Sequence, residues 1–357
     1  MHDLADKLTL VIPTHYRHHY LARVLTYYKN SPLRPLVIDS TDVPFPDLAS
    51  FPDVDYRHCP DVPLLTKITR PLLDISTPYT LLCADDSFIC PRAAAACVAF
   101  LDAHPDYSAA HGRQISVTRQ ADSRQLVYEP CYTQDAQLRI DADSPAERLK
   151  QLYRPYSPTM YAVHRAQNLR DFIETATGQA INDVLLELVS AMTGVVNGKH
   201  AVLPLFYHVT EIVPSILDDK KRRLPGVCAI FEKPEHTSAR EVFLAAMAGF
   251  YARRVGCPLK EARGHIEASM DAYLETQRGK PRRPFWKKLP RYLINSLAGL
   301  GWQSGDFGSL AETRARKASE RSPEERLEAL MGLFDETART ELDSIRAVMA
   351  AYYQGRP

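Results

Sequence analysis

In the first third of the chain, apolar residues alternate between short continuous runs and stripes at helical spacing. Residues 8–12 are Leu-Thr-Leu-Val-Ile and stop at Pro13, which predicts a buried strand. In residues 20–28, Leu21, Val24, Leu25 and Tyr28 share one face of a predicted helix. Leu36-Val37-Ile38 predicts a second buried strand that ends at Asp39-Ser40-Thr41, and residues 55–58 a third. Residues 64–73 read as a helix disturbed by Pro71. Residues 79–83 predict a strand running into Ala84-Asp85-Asp86-Ser87, and Pro91 opens an alanine-rich helix to residue 103. Further on, strands are expected at 107–111, 126–132, 160–163 and 201–208, and helices at 145–154, 166–176 and 183–192. This rhythm predicts an α/β layered sheet with helices on both faces. Residues 218–226, with four consecutive basic residues before Pro225-Gly226, break the apolar periodicity. Beyond residue 235 only helices are expected, at 241–255, 259–276, 310–320 and 323–353. The expected organisation is a domain at 1–215, a linker at 216–238 and an all-α C-terminal region at 239–357.

Composition narrows this picture. The chain has 357 residues, 45% hydrophobic and 24% charged, which excludes a mainly disordered chain. A formal charge of +1 gives no global case for nucleic acid as a partner. Seven cysteines without a C-x-x-C pair point to free thiols in a reducing, cytoplasmic setting. The N-terminus lacks the pattern of a signal peptide, and no apolar run reaches the ~20 residues of a membrane span.

Common phosphate and nucleophile motifs are missing. Gly194-Val195-Val196-Asn197-Gly198-Lys199 is one residue short of a Walker A loop and is followed by His200 instead of Ser or Thr. No G-x-G-x-x-G follows the first strand, and there is no G-x-S-x-G. His15 and His19 have the i, i+4 spacing of a zinc helix but no third ligand, so a solvated or substrate-facing turn is expected there. Asp85 and Asp86 follow an apolar strand, at the end where open α/β sheets bind ligands. One such carboxylate can accept sugar hydroxyls while the other holds a hard cation on phosphates. The competing reading is an acidic N-terminus for the helix that starts near Pro91. Thr14 and Arg17 after the first strand, Asp39 and Ser40 after the second, and Lys67 before the acidic strand add weight to a nucleotide-sugar site.

With these residues in hand, the chain resembles the inverting, family 2-like glycosyltransferases of the GT-A fold, above all those of bacterial capsule and other surface polysaccharides. The resemblance rests on residues 8–17, on Val37-Ile38-Asp39-Ser40 and on residues 82–88, and spans roughly 8–210. It implies a GT-A-like, Rossmann-like mixed sheet. It also implies that Pro13, Thr14 and Arg17 line the nucleotide pocket, Asp39 binds the base (most often uracil), Asp85 lies near the ribose, and Asp86 holds Mg²⁺ or Mn²⁺. Ser87 stands where the family often has a further acid, which weakens the metal site; Lys67 or arginines would then stabilise the leaving group. The catalytic base of the family lies about a hundred residues further on at a helix start. Asp183, 97 residues after Asp86, occupies that place, with Glu187 one turn on in reserve. An ordinary helix cap is the alternative for Asp183. The implied donor is a nucleoside-diphosphate sugar and the implied acceptor a glycan or lipid-linked glycan. A sugar-phosphate nucleotidyltransferase is disfavoured by the absence of a glycine-rich opening loop. A degenerate, glycan-binding assembly subunit is favoured only by Ser87.

Outside the resemblance, residues 278–302 hold seven Lys or Arg up to Arg291 and no acid in that stretch, interleaved with Phe285, Trp286 and Tyr292. Cationic heads with apolar wedges suit an anionic membrane surface, so a peripheral membrane association is expected. The alternative is an interdomain helix that buries Phe285 and Trp286.

Overall fold

The computed structural model describes residues 4–60, 74–120, 125–131, 138–153, 158–177, 181, 183–212, 226–278 and 322–354. Lys67, the expected helix at 64–73, residues 216–225 of the expected linker at 216–238, the basic-aromatic segment beyond Arg278 and the expected helix at 310–320 lie outside the described residues.

Nine strands form one mixed sheet among the described residues: β1 (Leu8–Thr14), β2 (Pro35–Asp39), β3 (Asp55–His58), β4 (Tyr79–Leu82), β5 (Ser87–Ile89), β6 (Tyr107–Arg119), β7 (Leu126–Cys131), β8 (Val163–Arg165) and β9 (Lys199–Glu211). Their order is β3-β2-β1-β4-β8-β6-β9-β5, and β7 pairs with β6. The first four are parallel, with Thr14 beside Asp39 and Val11 beside Leu82. β8 then runs antiparallel to β4 and β6, and β5 antiparallel to β9. The mixed α/β architecture anticipated from the sequence is therefore present, including the absence of strands after residue 235 among the described residues.

Period-two alternation along the strands sends side chains to two cores. Val11, Leu36, Ile38 and Leu82 face one, where they pack with α4 (Pro145–Leu152), α5 (Ala166–Thr177), α6 (Leu186–Asn197), α8 (Thr237–Val255) and α9 (Leu259–Arg278). Leu10, Ile12, Val37 and Leu81 face the other, with α2 (His18–Tyr28), α3 (Pro91–Ala103), α10 (Pro323–Met331) and α11 (Glu336–Gln354). Two short helices, α1 (Leu4–Lys7) and α7 (Val227–Glu232), complete the described set. The stripe Leu21, Val24, Leu25, Tyr28 is buried as its spacing requires. Among the described residues, the C-terminal helices divide between the two faces of the sheet and share its cores.

Several elements differ from expectation. The single helix expected at 323–353 is two, separated at Gly332-Asp335, where Asp335 Oδ1 accepts from the Ala338 N–H at 3.0 Å and restarts the helix. The strand expected at 160–163 starts only at Val163, because Thr159-Ala162 form a turn closed by Ala162 N–H to Thr159 O, 3.0 Å. Ser87-Phe88-Ile89, which the sequence pattern assigns to no element, pair with Thr210-Val209-His208. Of the Walker-like glycines, Gly194 lies in the last turn of α6 and Gly198 is its C-cap, just before β9. A Cβ at Gly198 would lie 2.9 Å from Asp106 O, so this glycine permits close packing and leaves no phosphate loop.

Candidate functional site

In the parallel half of the sheet, chain order reverses at β1, with β2 on one side and β4 on the other. Open α/β sheets bind ligands in the crevice beyond the strand carboxyl ends at such a point. Thr14 ends β1, Asp39 ends β2, and Ala84-Asp85-Asp86 follow β4. The insertion of β5 decides the reading of the acid pair. The N-cap of α3 is Cys90, without a side-chain cap, so Asp85 and Asp86 do not serve that helix.

Arg17, in the turn between β1 and α2, joins the two carboxylates. Its Nε lies 3.2 Å from Asp85 Oδ1, and its Nη2 is paired with Asp86 Oδ2. Thr14 Oγ1 donates to Asp85 Oδ2 at 2.7 Å, and Ser87 Oγ to Asp86 Oδ1 at 3.1 Å. Burial works against the Arg17 cation, but the two acids outweigh it and raise its pKa above the ordinary value. Asp85 and Asp86 are both buried, so this is a charged cluster held largely out of water. Charges in such a setting are retained only when paired.

Asp39 is completely buried. Its Oδ1 accepts from the Thr41 N–H at 2.8 Å; its Oδ2 accepts from His18 Nε2 and Tyr56 Oη, each at 2.6 Å. Burial pushes this carboxyl up, and the bonds from Thr41, Tyr56 and His18 more than reverse that, holding it below the usual range. Asp39 therefore orients a shell of two rings at the strand ends. Ser40 donates to Thr14 O and lies 2.9 Å from His15 Nδ1, which ties the turns after β1 and β2 together. Pro13, the penultimate residue of β1, is half-buried. His15 and His18 are thus engaged by neighbours after β2, and no group of three His, Cys, Asp or Glu side chains able to hold a metal occurs among the described residues.

The other half of the expected machinery comes from a separate element. Asp183 opens a 3₁₀ turn, Asp183–Leu185, that leads into α6, whose N-cap is Leu185. Glu187, half-buried in the first turn of α6, is close enough to Tyr153 and Tyr273 to add to the upward pKa shift that burial imposes on both phenols. Tyr207 and His208, near the end of β9, are both buried. Tyr207 Oη donates to Tyr161 O at 2.7 Å, and His208 Nδ1 faces Gln114 Oε1 at 2.9 Å. Both are core residues.

Comparisons with known proteins add a limited likeness. No protein-family model matches the chain, and no curated protein does. Among solved structures, it is similar in chain path to Staphylococcus aureus TarS 1–349, at TM-score 0.44 and 12% identity, over 98% of this chain and 92% of that one. TarS 1–349 in complex with UDP-GlcNAc gives 0.41 and 12%, over 76% and 91%. With TarS itself the chain spans only 55% of the neighbour's length.

Sequence reasoning missed two features here. Arg23, on α2, is buried and ion-paired with Glu211 at the end of β9. Its Nη2 also donates to the backbone carbonyl of Asp86 at 3.3 Å. An arginine beside Val24 reads as solvated in a helical pattern, and its partner is 188 residues away. Tyr16 adopts φ 53°, a strained conformation for a large residue, with its N–H donating to Thr41 Oγ1 at 2.9 Å and its ring exposed beside His15. Volume alone points elsewhere. A cavity of about 770 Å³ between α1, α2, α3 and α11, lined by Leu4, Tyr27, Pro91, Val98 and Val348 among others, shares no lining residue with the strand-end cluster. Chemistry rather than size locates the candidate site.

Asp85 and Asp86 are the residues that could hold a hard cation here. Two buried carboxylates supply oxygen ligands and already neutralise one cation, Arg17.

Proposed function

We propose that this protein is a glycosyltransferase that moves a sugar from a nucleoside-diphosphate donor, with UDP favoured, to a glycan or lipid-linked acceptor in bacterial surface polysaccharide synthesis. The observation that carries this reading is the Arg17 guanidinium bracketed by Asp85 and Asp86, one strand away from the Asp39 shell, at the point where the parallel strand order reverses. A diphosphate needs cationic charge, and a sugar or ribose needs carboxylate acceptors; the two are interleaved here.

In this reading Pro13, Thr14 and Ser40 line the nucleotide pocket, and Asp85 receives ribose hydroxyls. Asp39 acts on the base directly or through His18 and Tyr56, which it orients. Asp86 is the residue to hold Mg²⁺ or Mn²⁺, which would supply positive charge to the leaving diphosphate. Arg17 and Lys67 add charge to the same group. Asp183, with Glu187 in reserve, takes the proton of the acceptor hydroxyl as it attacks the anomeric carbon from the face opposite the departing nucleotide, so that configuration inverts. Residues 278–302 bring the enzyme to an anionic membrane surface. Among the described residues, no helix is long and apolar enough to cross a membrane.

Turnover of UDP-sugars, read as transfer or slow hydrolysis, tests the proposal in Mn²⁺ and in EDTA. Activity that requires Mn²⁺ and disappears in Asp86→Asn supports it. Full activity in EDTA with loss in Arg17→Gln assigns leaving-group stabilisation to the arginine, a reading favoured by its engagement of both carboxylates. No turnover of any nucleotide sugar, with intact glycan binding, supports the assembly-subunit alternative. Flotation with anionic liposomes at low salt tests the membrane role, and a Lys287/Lys288/Arg291→Glu variant should lose it.

A further inference from the structure

The turn that carries Asp86 is held from behind by three elements far apart in sequence. The carbonyl of Asp86 accepts from the Glu211 N–H at 3.2 Å and from Arg23 Nη2 at 3.3 Å. Arg23 Nη1 in turn pairs with Glu211 Oε2, and both side chains are removed from solvent. The second carboxylate oxygen of Glu211, Oε1, accepts from Tyr353 Oη, in the last turn of α11. The rings of Tyr20, Tyr352 and Phe88 lie around the Arg23 guanidinium at 4.9, 4.9 and 5.2 Å, and Arg119 lies 4.4 Å from the Tyr353 ring. Next to the turn, the Ser87 and Thr210 hydroxyls are hydrogen-bonded at 2.9 Å.

A buried ion pair adds little net stability compared with a well-packed apolar pair, so its use lies in what it holds in place. Here the pair holds the backbone of an acid whose side chain faces Arg17. We propose that Tyr353 is a positioning residue for the Asp85-Asp86 turn: by fixing Glu211 it fixes Arg23, and together they set the Asp86 carbonyl and hence the direction of the carboxylate. The C-terminal helix is by this account part of the site's support. The inference deepens the nucleotide-sugar reading in naming what aims Asp86, but the mechanical link stands apart from the identity of the ligand.

Amide hydrogen exchange of the full chain tests the link without any ligand. Tyr353→Phe removes one hydroxyl and keeps the ring. Peptides spanning 84–89 should exchange several-fold faster than in the wild type, while peptides of β1 stay unchanged. Glu211→Gln, which keeps the shape but not the charge, should do the same. Tyr128→Phe is the control: it removes a hydroxyl that meets Met349 of α11 at 3.9 Å and is no part of the hydrogen-bond chain from Tyr353 through Glu211 and Arg23 to Asp86, and it should leave 84–89 at the wild-type rate. Unchanged exchange at 84–89 in both Tyr353→Phe and Glu211→Gln, or acceleration spread evenly over the chain, would overturn the proposal. Calorimetry with UDP and Mn²⁺ then reads the consequence: affinity should fall about three- to tenfold in Tyr353→Phe and not in Tyr128→Phe. If the wild type binds no UDP, the nucleotide reading fails, and the exchange result still decides the link.

Discussion

Two buried polar regions lie on the same sheet and are handled in opposite ways. At the carboxyl ends of β1, β2 and β4, charge is kept: Arg17 with Asp85 and Asp86, Arg23 with Glu211, and Asp39 with three donors. Around β6, β8 and β9, charge is refused. His111, His164, His200 and His208 are all buried, and burial drives each pKa down, to about 4 for His111 and His164 and about 3 for His208. His111 Nδ1 donates to Gly112 O at 2.6 Å and His164 Nε2 to Thr159 O at 2.8 Å, while the Nε2 atoms of His111, His200 and His208 have no hydrogen-bond partner among the described residues. Both regions contain titratable groups out of water, but only the first supplies each with a counter-charge or with several hydrogen-bond donors. The first can meet a charged ligand by exchanging partners; the second can only stay neutral or lose stability.

Acid separates the two regions most strongly. A histidine held neutral in the fold binds its proton only in the unfolded chain between pH 6.5 and its folded value. Stability should therefore be full above pH 6.5 and fall as pH drops towards about 4, by up to about 1.4 kcal/mol per pH unit for each histidine. Asp39 has the opposite sign of cause. Its lowered pKa contributes stability above the unfolded carboxylate value, lost only as pH falls below about 3.8. Denaturant unfolding at pH 7, 6, 5 and 4.5 checks this. His208→Asn should flatten the slope in that window and Asp39→Asn should not; a flat profile from 6.5 to 4.5 would remove the contrast.

Breaking the charged region from within comes next in size. Glu211→Ala leaves Arg23 buried without its counter-charge, and should cost about 3–5 kcal/mol in urea unfolding at pH 7. Replacing both, as Arg23→Met with Glu211→Leu, should recover most of that loss, since the penalty belongs to the orphaned charge. Recovery of stability without recovery of nucleotide binding would separate support of the fold from support of the site.

How much of this was legible in the sequence follows from distance and period. The runs ending at Thr14, Asp39 and Ala84 announce buried parallel strands, and acids just beyond them announce a site, because both signals are local. β5 has three residues, too few to show a period, and is fixed only by pairing with Thr210-Val209-His208. Arg23 breaks an otherwise correct helical face, and Glu211 and Tyr353, which explain it, are brought to it by tertiary packing alone. The shell of Asp39 was hidden for the same reason: His18 and Tyr56 lie on α2 and β3, and nothing in their own neighbourhoods marks them. The neutrality of the histidines is a property of the finished core.

A smaller effect sharpens the chemistry. Asp183→Asn keeps shape and removes a proton acceptor, so turnover of a UDP-sugar should fall by ~10²-fold, about 2.7 kcal/mol of barrier, with donor affinity unchanged. The same fall in Glu187→Gln, with wild-type rates in Asp183→Asn, would move the role one turn along α6.

The central claim is that the Arg17-Asp85-Asp86 cluster is a diphosphate site, and calorimetric titration of UDP into the full chain at pH 7.5, with Mn²⁺ present, tests it most directly. The account predicts saturable one-to-one binding that weakens tenfold or more, about 1.4 kcal/mol, in Arg17→Gln. No heat of binding with UDP at several millimolar, or binding indifferent to Arg17→Gln and to Asp86→Asn alike, would contradict it.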